Sequence, residues 1–415
     1  MKIGPIKVHN RELRQTKSRP LPPEFFAPLD PCNVSIRRCP VSRKQASKRI
    51  LIMRVGAFGD ILMGTPLLAA LRQAYPDAYL TWIAEHSERE AIDANPYIDE
   101  ILRWDGSYWK RMVRKVQYIS WLTRACRLKD EMTSRSFDIF VSFQPEEWPL
   151  LVRGVNAPLT IGVFDTFRRY YRAAKTSSNT HLYTHAFTYP HLPDHRIDQY
   201  LLTLKALGLP TDVPRQMSIG YTEDDKAHVE QFLSEEGISL QDRFVVLTPF
   251  TTWPTKCWSS ERYAELGDAL ARQYGCRIVI AGSGKEHEAI QALASLMQER
   301  PILAAGTLTF RQMAALVDQA ALLVSGDTGP MHVATALNTP QIAIFGPTAP
   351  QWYGPKTGAF RSLLHPVPCG PCDQKFCTQT GDDHLRCMKL ISVEEVLAAA
   401  RELLGSVDVP LGLAG

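Results

Sequence analysis

The chain has 415 residues, 45% of them apolar and 22% charged. That length favours two globular domains, and the composition excludes collagen, coiled coil or wholesale disorder. Net charge is +4, but residues 1–49 carry twelve Lys or Arg against Glu12, Glu24 and Asp30, a local +9 that leaves −5 for the rest.

This basic segment (1–49) holds Pro5, Pro20, Pro22, Pro23 and Pro28 and has no helical periodicity, so it reads as a disordered tail. Either it is a solvated spacer or it adheres to an anionic membrane surface. Neither half carries a basic, aromatic-interleaved motif, so no nucleic-acid partner is expected. No run of eighteen apolar residues and no apolar leader is present, and nine cysteines form an odd count. These features point to a reduced, cytoplasmic protein without a spanning helix.

From residue 50 the pattern alternates. Ile50–Val55 is an apolar run closed by Gly56, and after Gly59-Asp60 apolar residues recur at helical spacing up to Tyr75-Pro76. Runs at 78–84, 100–105, 138–143 and 159–163 read as buried parallel strands, giving a Rossmann-like acceptor domain over 50–215. Residues 191–243 hold an amphipathic helix around Tyr200, a Gly-Leu-Pro stop at 208–210 and a polar stretch, with 216–243 the linker. Strands at 244–247, 277–281, 302–304, 321–324 and 341–345 then alternate with helices near 260–274, 285–298, 309–319 and 330–337. They form a second Rossmann-like domain, 244–392, followed by a helix at 393–404. The fold class is α/β, two doubly wound domains whose strand ends face a cleft.

Four stretches carry chemistry. Ser325-Gly326-Asp327-Thr328-Gly329-Pro330-Met331-His332 follows a strand, and its helix start offers free amides to phosphate oxygens, with the Thr328 hydroxyl and His332 nearby. The same turn also serves as an ordinary strand-to-helix connection. Asp60, at a helix start after a G-x-x-G loop, would repel a pyrophosphate and suits a general base, or else a helix cap. Thr251, Thr252 and Lys256, just past the first strand of the second half, can hold a leaving diphosphate. Cys369-x2-Cys372-x4-Cys377-x9-Cys387 reads as a structural zinc site, packed free thiols or a redox pair.

In order and spacing, the Arg54…Gly59-Asp60…Thr65-Pro66 opening, Lys256-x-Trp258, Gly326-Asp327-Thr328-Gly329-x-x-His332 and the cysteine-rich end before Met388 resemble glycosyltransferase family 9, the lipopolysaccharide heptosyltransferase family. The resemblance spans about residues 50–404. It implies a GT-B fold and inverting transfer from a nucleotide sugar, ADP-heptose first, with no metal required for catalysis. Asp60 matches the base that deprotonates the acceptor hydroxyl. Lys256, Thr328, Gly329 and His332 match diphosphate contacts beside Thr251 or Thr252, Asp327 a donor-site acid, and Glu288 the ribose ligand. The pattern departs at Ser259, where the family usually has proline. Arg54, the basic 107–135 segment and Arg168-Arg169 are candidates for gripping a lipid-linked glycan acceptor or the inner membrane leaflet, or are solvated charges. Alternative readings are another nucleotide sugar, a related two-domain epimerase, a non-catalytic sugar-nucleotide or glycan binder, and, most remotely, a zinc-organised nucleic-acid module.

Overall fold

A computed structural model describes residues 48–85, 87–104, 130–144, 154–164, 177–188, 193–239 and 241–405, together with Thr123 and Cys126. Nearly all of the N-terminal segment, most of 107–135, and Arg168 and Arg169 lie outside these residues. Its last residue, Arg49, instead opens the first strand, where its amide donates to Asp138 Oδ2 at 2.8 Å.

Among the described residues two six-stranded sheets form, with every strand pairing parallel. In the first, β1 (Arg49–Met53), β2 (Tyr79–Glu85), β3 (Glu100–Trp104), β4 (Ile139–Ser142), β5 (Leu159–Phe164) and β6 (His185–Thr188) lie in the order β3-β2-β1-β4-β5-β6. In the second, β7 (Phe244–Thr248), β8 (Arg277–Ile280), β9 (Ile302–Leu303), β10 (Leu322–Gly326), β11 (Gln341–Ile344) and β12 (Phe360–Leu363) repeat that order from β9 to β12. The order reverses beside β1 and again beside β7, and such switch points are where doubly wound sheets bind ligands.

Side chains alternate across each strand, and both faces are covered. Ile50 and Ile52 pack toward helix Phe58–Ala74, while Leu51 and Met53 join Phe140, Phe164 and Tyr183 on the opposite face. In the second sheet, Val245, Leu247, Ile342 and Ile344 meet helices Ser260–Tyr274 and Val393–Leu404. The terminal helix thus completes the core of the second half. The other face of that sheet, through Val246 and Leu323, is continuous with the core beneath β1. One apolar cluster therefore joins the two halves.

Residues 216–243 are not merely a linker. Their polar stretch forms helix Glu223–Glu235, started by a reciprocal cap between Thr222 and Asp225, with Val229 and Leu233 buried. The helix packs against helix Phe310–Gln319 of the second half.

Thr65-Pro66 sits inside helix Phe58–Ala74. Proline has no N–H to give the Leu62 carbonyl, and the Thr65 hydroxyl donates to it instead at 2.7 Å. The same hydroxyl accepts from the Ser218 amide at 2.8 Å, which fastens the crossing segment to the first half.

Candidate active site

A cleft of about 550 Å³ opens where the switch points of the two sheets face each other, a size within the range of small-molecule sites. Asp60, Thr251, Thr252, Lys256, Asp327, Thr328, Gly329 and His332, eight residues expected from sequence, all line it.

On the first-half wall, Asp60 lies in the first turn of helix Phe58–Ala74. Its Oδ2 is ion-paired with Arg54, and Arg196 Nε stands 3.9 Å from Oδ1. Arg54 also donates to the Phe143 carbonyl at 3.3 Å and is not among the residues lining the cleft. Arg196 is buried, its guanidinium carbon 5.8 Å from the ring centroids of both Tyr200 and Tyr353.

Opposite stands a buried ion pair. Lys256 Nζ donates to Asp327 Oδ2 at 2.7 Å, and the Thr348 hydroxyl donates to the same oxygen at 2.7 Å. Burial alone would raise the Asp327 carboxyl, but the Lys256 ammonium, with His332 and the two hydrogen bonds, more than offsets it and holds the carboxyl below its ordinary value. Helix Gly329–Leu337 begins beside this pair with Pro330 in its first turn and no side-chain cap, which leaves amides for an anion. Buried His332 is pushed down in pKa by desolvation, against the pull of Asp327 and Asp60, and so favours its neutral form.

The lysine loop is braced from below. Thr255 donates to the carbonyl of Gln374 at 2.7 Å, and the Asp373 amide donates to Pro347 at 2.7 Å. Trp258 is buried, donates to Ile391 at 3.0 Å and meets Tyr263 edge-on. Ser259 caps helix Ser260–Tyr274, its side chain accepting from the Arg262 amide. The Thr251 hydroxyl is committed locally, donating to Trp253 O at 2.7 Å, whereas Thr252 is exposed at the cleft.

Glu288 is exposed and absent from the cleft wall; Glu286, one half-turn earlier, lines it and accepts from the Ser283 amide at 2.7 Å. Sequence could have found Glu286 through the Ser283-x-x-Glu286 capping box. Residues not anticipated at all are Glu88, Arg196, and the pair Phe58 and Phe310, whose rings stack at 3.9 Å across the two walls.

Cys369, Cys372, Cys377 and Cys387 share one neighbourhood, and the Cys372 and Cys387 thiols are pushed up, by burial first and by the other cysteines in addition. Among the described residues no group of three or more His, Cys, Asp or Glu is arranged to hold a metal ion. No described helix is long and apolar enough to cross a membrane.

Comparison with known proteins bears on the family and the fold. The pattern of "Glycosyltransferase family 9 (heptosyltransferase)" matches residues 126–381. Lipopolysaccharide heptosyltransferase 3 of Escherichia coli K12 is 26% identical over 355 residues, 83% of this chain and 95% of its own length. A glycosyl transferase family 9 structure from Veillonella parvula is 25% identical with a TM-score of 0.71, covering 86% of this chain and 97% of that one. An E. coli heptosyltransferase solved with ADP has the same fold at 20% identity and a TM-score of 0.63, over 86% and 99% of the two chains. With two parallel-sheet domains around a shared cleft, and a family match over more than half its length, the chain belongs to glycosyltransferase family 9 and is a glycosyltransferase.

Proposed function

We propose that the protein transfers a heptose from ADP-heptose to a sugar hydroxyl of a lipopolysaccharide-type acceptor, with inversion at the anomeric carbon. The observation that carries this reading is the placement of an acid, Asp60, on one wall and a cation, Lys256, on the other wall of a single cleft. Support for the nucleotide and sugar comes from relatives named as heptosyltransferases and from a similar fold solved with ADP.

Asp60 takes the proton of the acceptor hydroxyl as its oxygen attacks the anomeric carbon. On the far side the bond from that carbon to the diphosphate breaks, and the electron pair leaves with ADP. Lys256, the Thr328 hydroxyl and the amides opening helix Gly329–Leu337 meet the growing charge. Since one displacement inverts the centre, one base and one electrostatic trap suffice, provided both are held around the substrates. Asp327 keeps Lys256 aimed while the cleft is empty of anion. Protein groups supply the positive charge, so the reading calls for no metal in catalysis.

The acceptor is proposed to be a lipid-linked glycan met at the anionic inner face of the cytoplasmic membrane, in keeping with the +9 charge of residues 1–49. Calorimetric titration with ADP, UDP and GDP, and with their sugar conjugates, tests the donor. Selective uptake of ADP and ADP-heptose is expected. Preference for UDP or GDP would displace heptose, and proton NMR of the product reads the anomeric configuration.

A further inference from the structure

Glu88 has no part in the chemistry above, yet it lines the cleft. It follows β2 in a tight turn, its amide donating to Glu85 O at 3.0 Å. Its side chain lies along Gly56, where an added Cβ would come within 3.4 Å of Glu88 Cγ. The carboxyl therefore rests against the loop that presents Asp60. One of its oxygens, Oε2, is fully enclosed and makes no hydrogen bond of good geometry among the described residues.

An enclosed carboxylate oxygen without a donor is costly, and in a ligand cleft the missing donor is one a ligand can bring. Burial first, and Glu85 in addition, push the Glu88 pKa up, while the Phe58 amide and the Ser87 hydroxyl draw it back. A phosphate oxygen would meet it as a second acceptor, and the cations of the cleft stand on the opposite wall at Lys256. What fits is a neutral O–H donor. The turn is moreover pinned to the wall that faces it: Glu90 Oε2 accepts from the Phe310 amide at 2.8 Å, and Phe58 stacks on Phe310.

We propose that Glu88 accepts a hydrogen bond from a hydroxyl of the sugar being transferred, and so helps choose which nucleotide sugar is used. This rests on the nucleotide-sugar reading of the cleft. A site built to bond a hydroxyl discriminates strongly, because a sugar lacking that group leaves Oε2 without a donor.

The test is titration of the full chain, wild type, Glu88→Gln and Glu88→Ala, with ADP and with ADP-heptose. ADP affinity is expected to stay within about twofold in both variants. ADP-heptose affinity is expected to fall at least about tenfold in Glu88→Ala and less in Glu88→Gln, which keeps one acceptor oxygen. Unchanged ADP-heptose affinity in Glu88→Ala overturns the proposal. So does an equal loss for both ligands with a lowered Tm, which would make Glu88 a support of the Gly56 turn. If the wild type instead takes a UDP- or GDP-sugar, the ADP-heptose reading has failed, and the same comparison made with that nucleotide and its sugar decides Glu88 on its own.

Discussion

Gly59 of the first half and His332 of the second are in contact across the cleft: a Cβ at residue 59 would fall 2.3 Å from His332 Cδ2 and 2.8 Å from Nε2. Only a hydrogen at that position lets the helix bearing Asp60 approach the helix that opens the donor side. Gly59→Ala is expected to cost about 1–3 kcal/mol of stability by overpacking and to weaken ADP binding as the imidazole is displaced. In Gly59→Ala/His332→Ala the stability should return while the affinity does not. Wild-type affinity in the single variant would show that the two walls yield freely at this point.

Asp60→Asn retains the shape of the side chain and removes its basicity. Turnover is expected to drop by at least about two orders of magnitude, with ADP affinity little changed. Rapid turnover in this variant would remove Asp60 from the mechanism, whatever its place in the cleft.

Lys256 serves two ends, and they can be separated. Lys256→Met leaves the Asp327 carboxylate buried without its cation, which is expected to destabilise the fold by about 3 kcal/mol and to weaken ADP binding. Adding Asp327→Asn should restore much of the stability in urea denaturation but none of the affinity. Recovery of both would mean that the lysine is structural only.

His195 sets an acid limit on stability. Its Nδ1 accepts from the Ile197 amide at 3.2 Å, so Nε2 carries the hydrogen and donates to Gly354 O at 2.9 Å across the halves. Burial first, with Lys356 adding, lowers its pKa to about 4 against the Gly354 bond. Between pH 6.5 and about 4 the unfolded chain binds a proton that the folded chain refuses, so stability is full above that window and falls as pH drops through it. The loss amounts to roughly 3 kcal/mol, and His332, shifted in the same direction, adds to it. Urea denaturation between pH 8 and 4.5 should show a shallower slope for His195→Gln; an identical slope would place the proton elsewhere.

Among the described residues ten of the twelve strands were legible as apolar runs, most of them because a parallel strand covered on both faces is apolar throughout, while the half-buried edge strand β3 showed itself through Ile101, Leu102 and Trp104. The other two, β6 and β12, are four-residue edge strands, half-buried and mixed in character, with no such run to find. Helix Glu223–Glu235 hid in its polarity, although Thr222-x-x-Asp225 announced its start. In the cleft, Asp60, Lys256 and Asp327 were recognisable singly, each just past a strand. Their pairings were not, since Lys256 and Asp327 stand 71 residues apart and meet only through adjacent strands β7 and β10. Glu88 lies in a turn crowded with Glu85, Arg89, Glu90 and Asp93, where nothing local marks the one carboxyl that enters the cleft.

The repeated strand order has a consequence for how such a chain can change. Among the described residues, segments after β1 and β2 supply one wall of the cleft, and segments after β7, β8, β9, β10 and β11 supply the other. Substitutions can therefore accumulate within either set of loops except where the walls touch, as Gly59 touches His332 and Phe58 stacks on Phe310, so any exchange of a reactant has to leave those contacts in place.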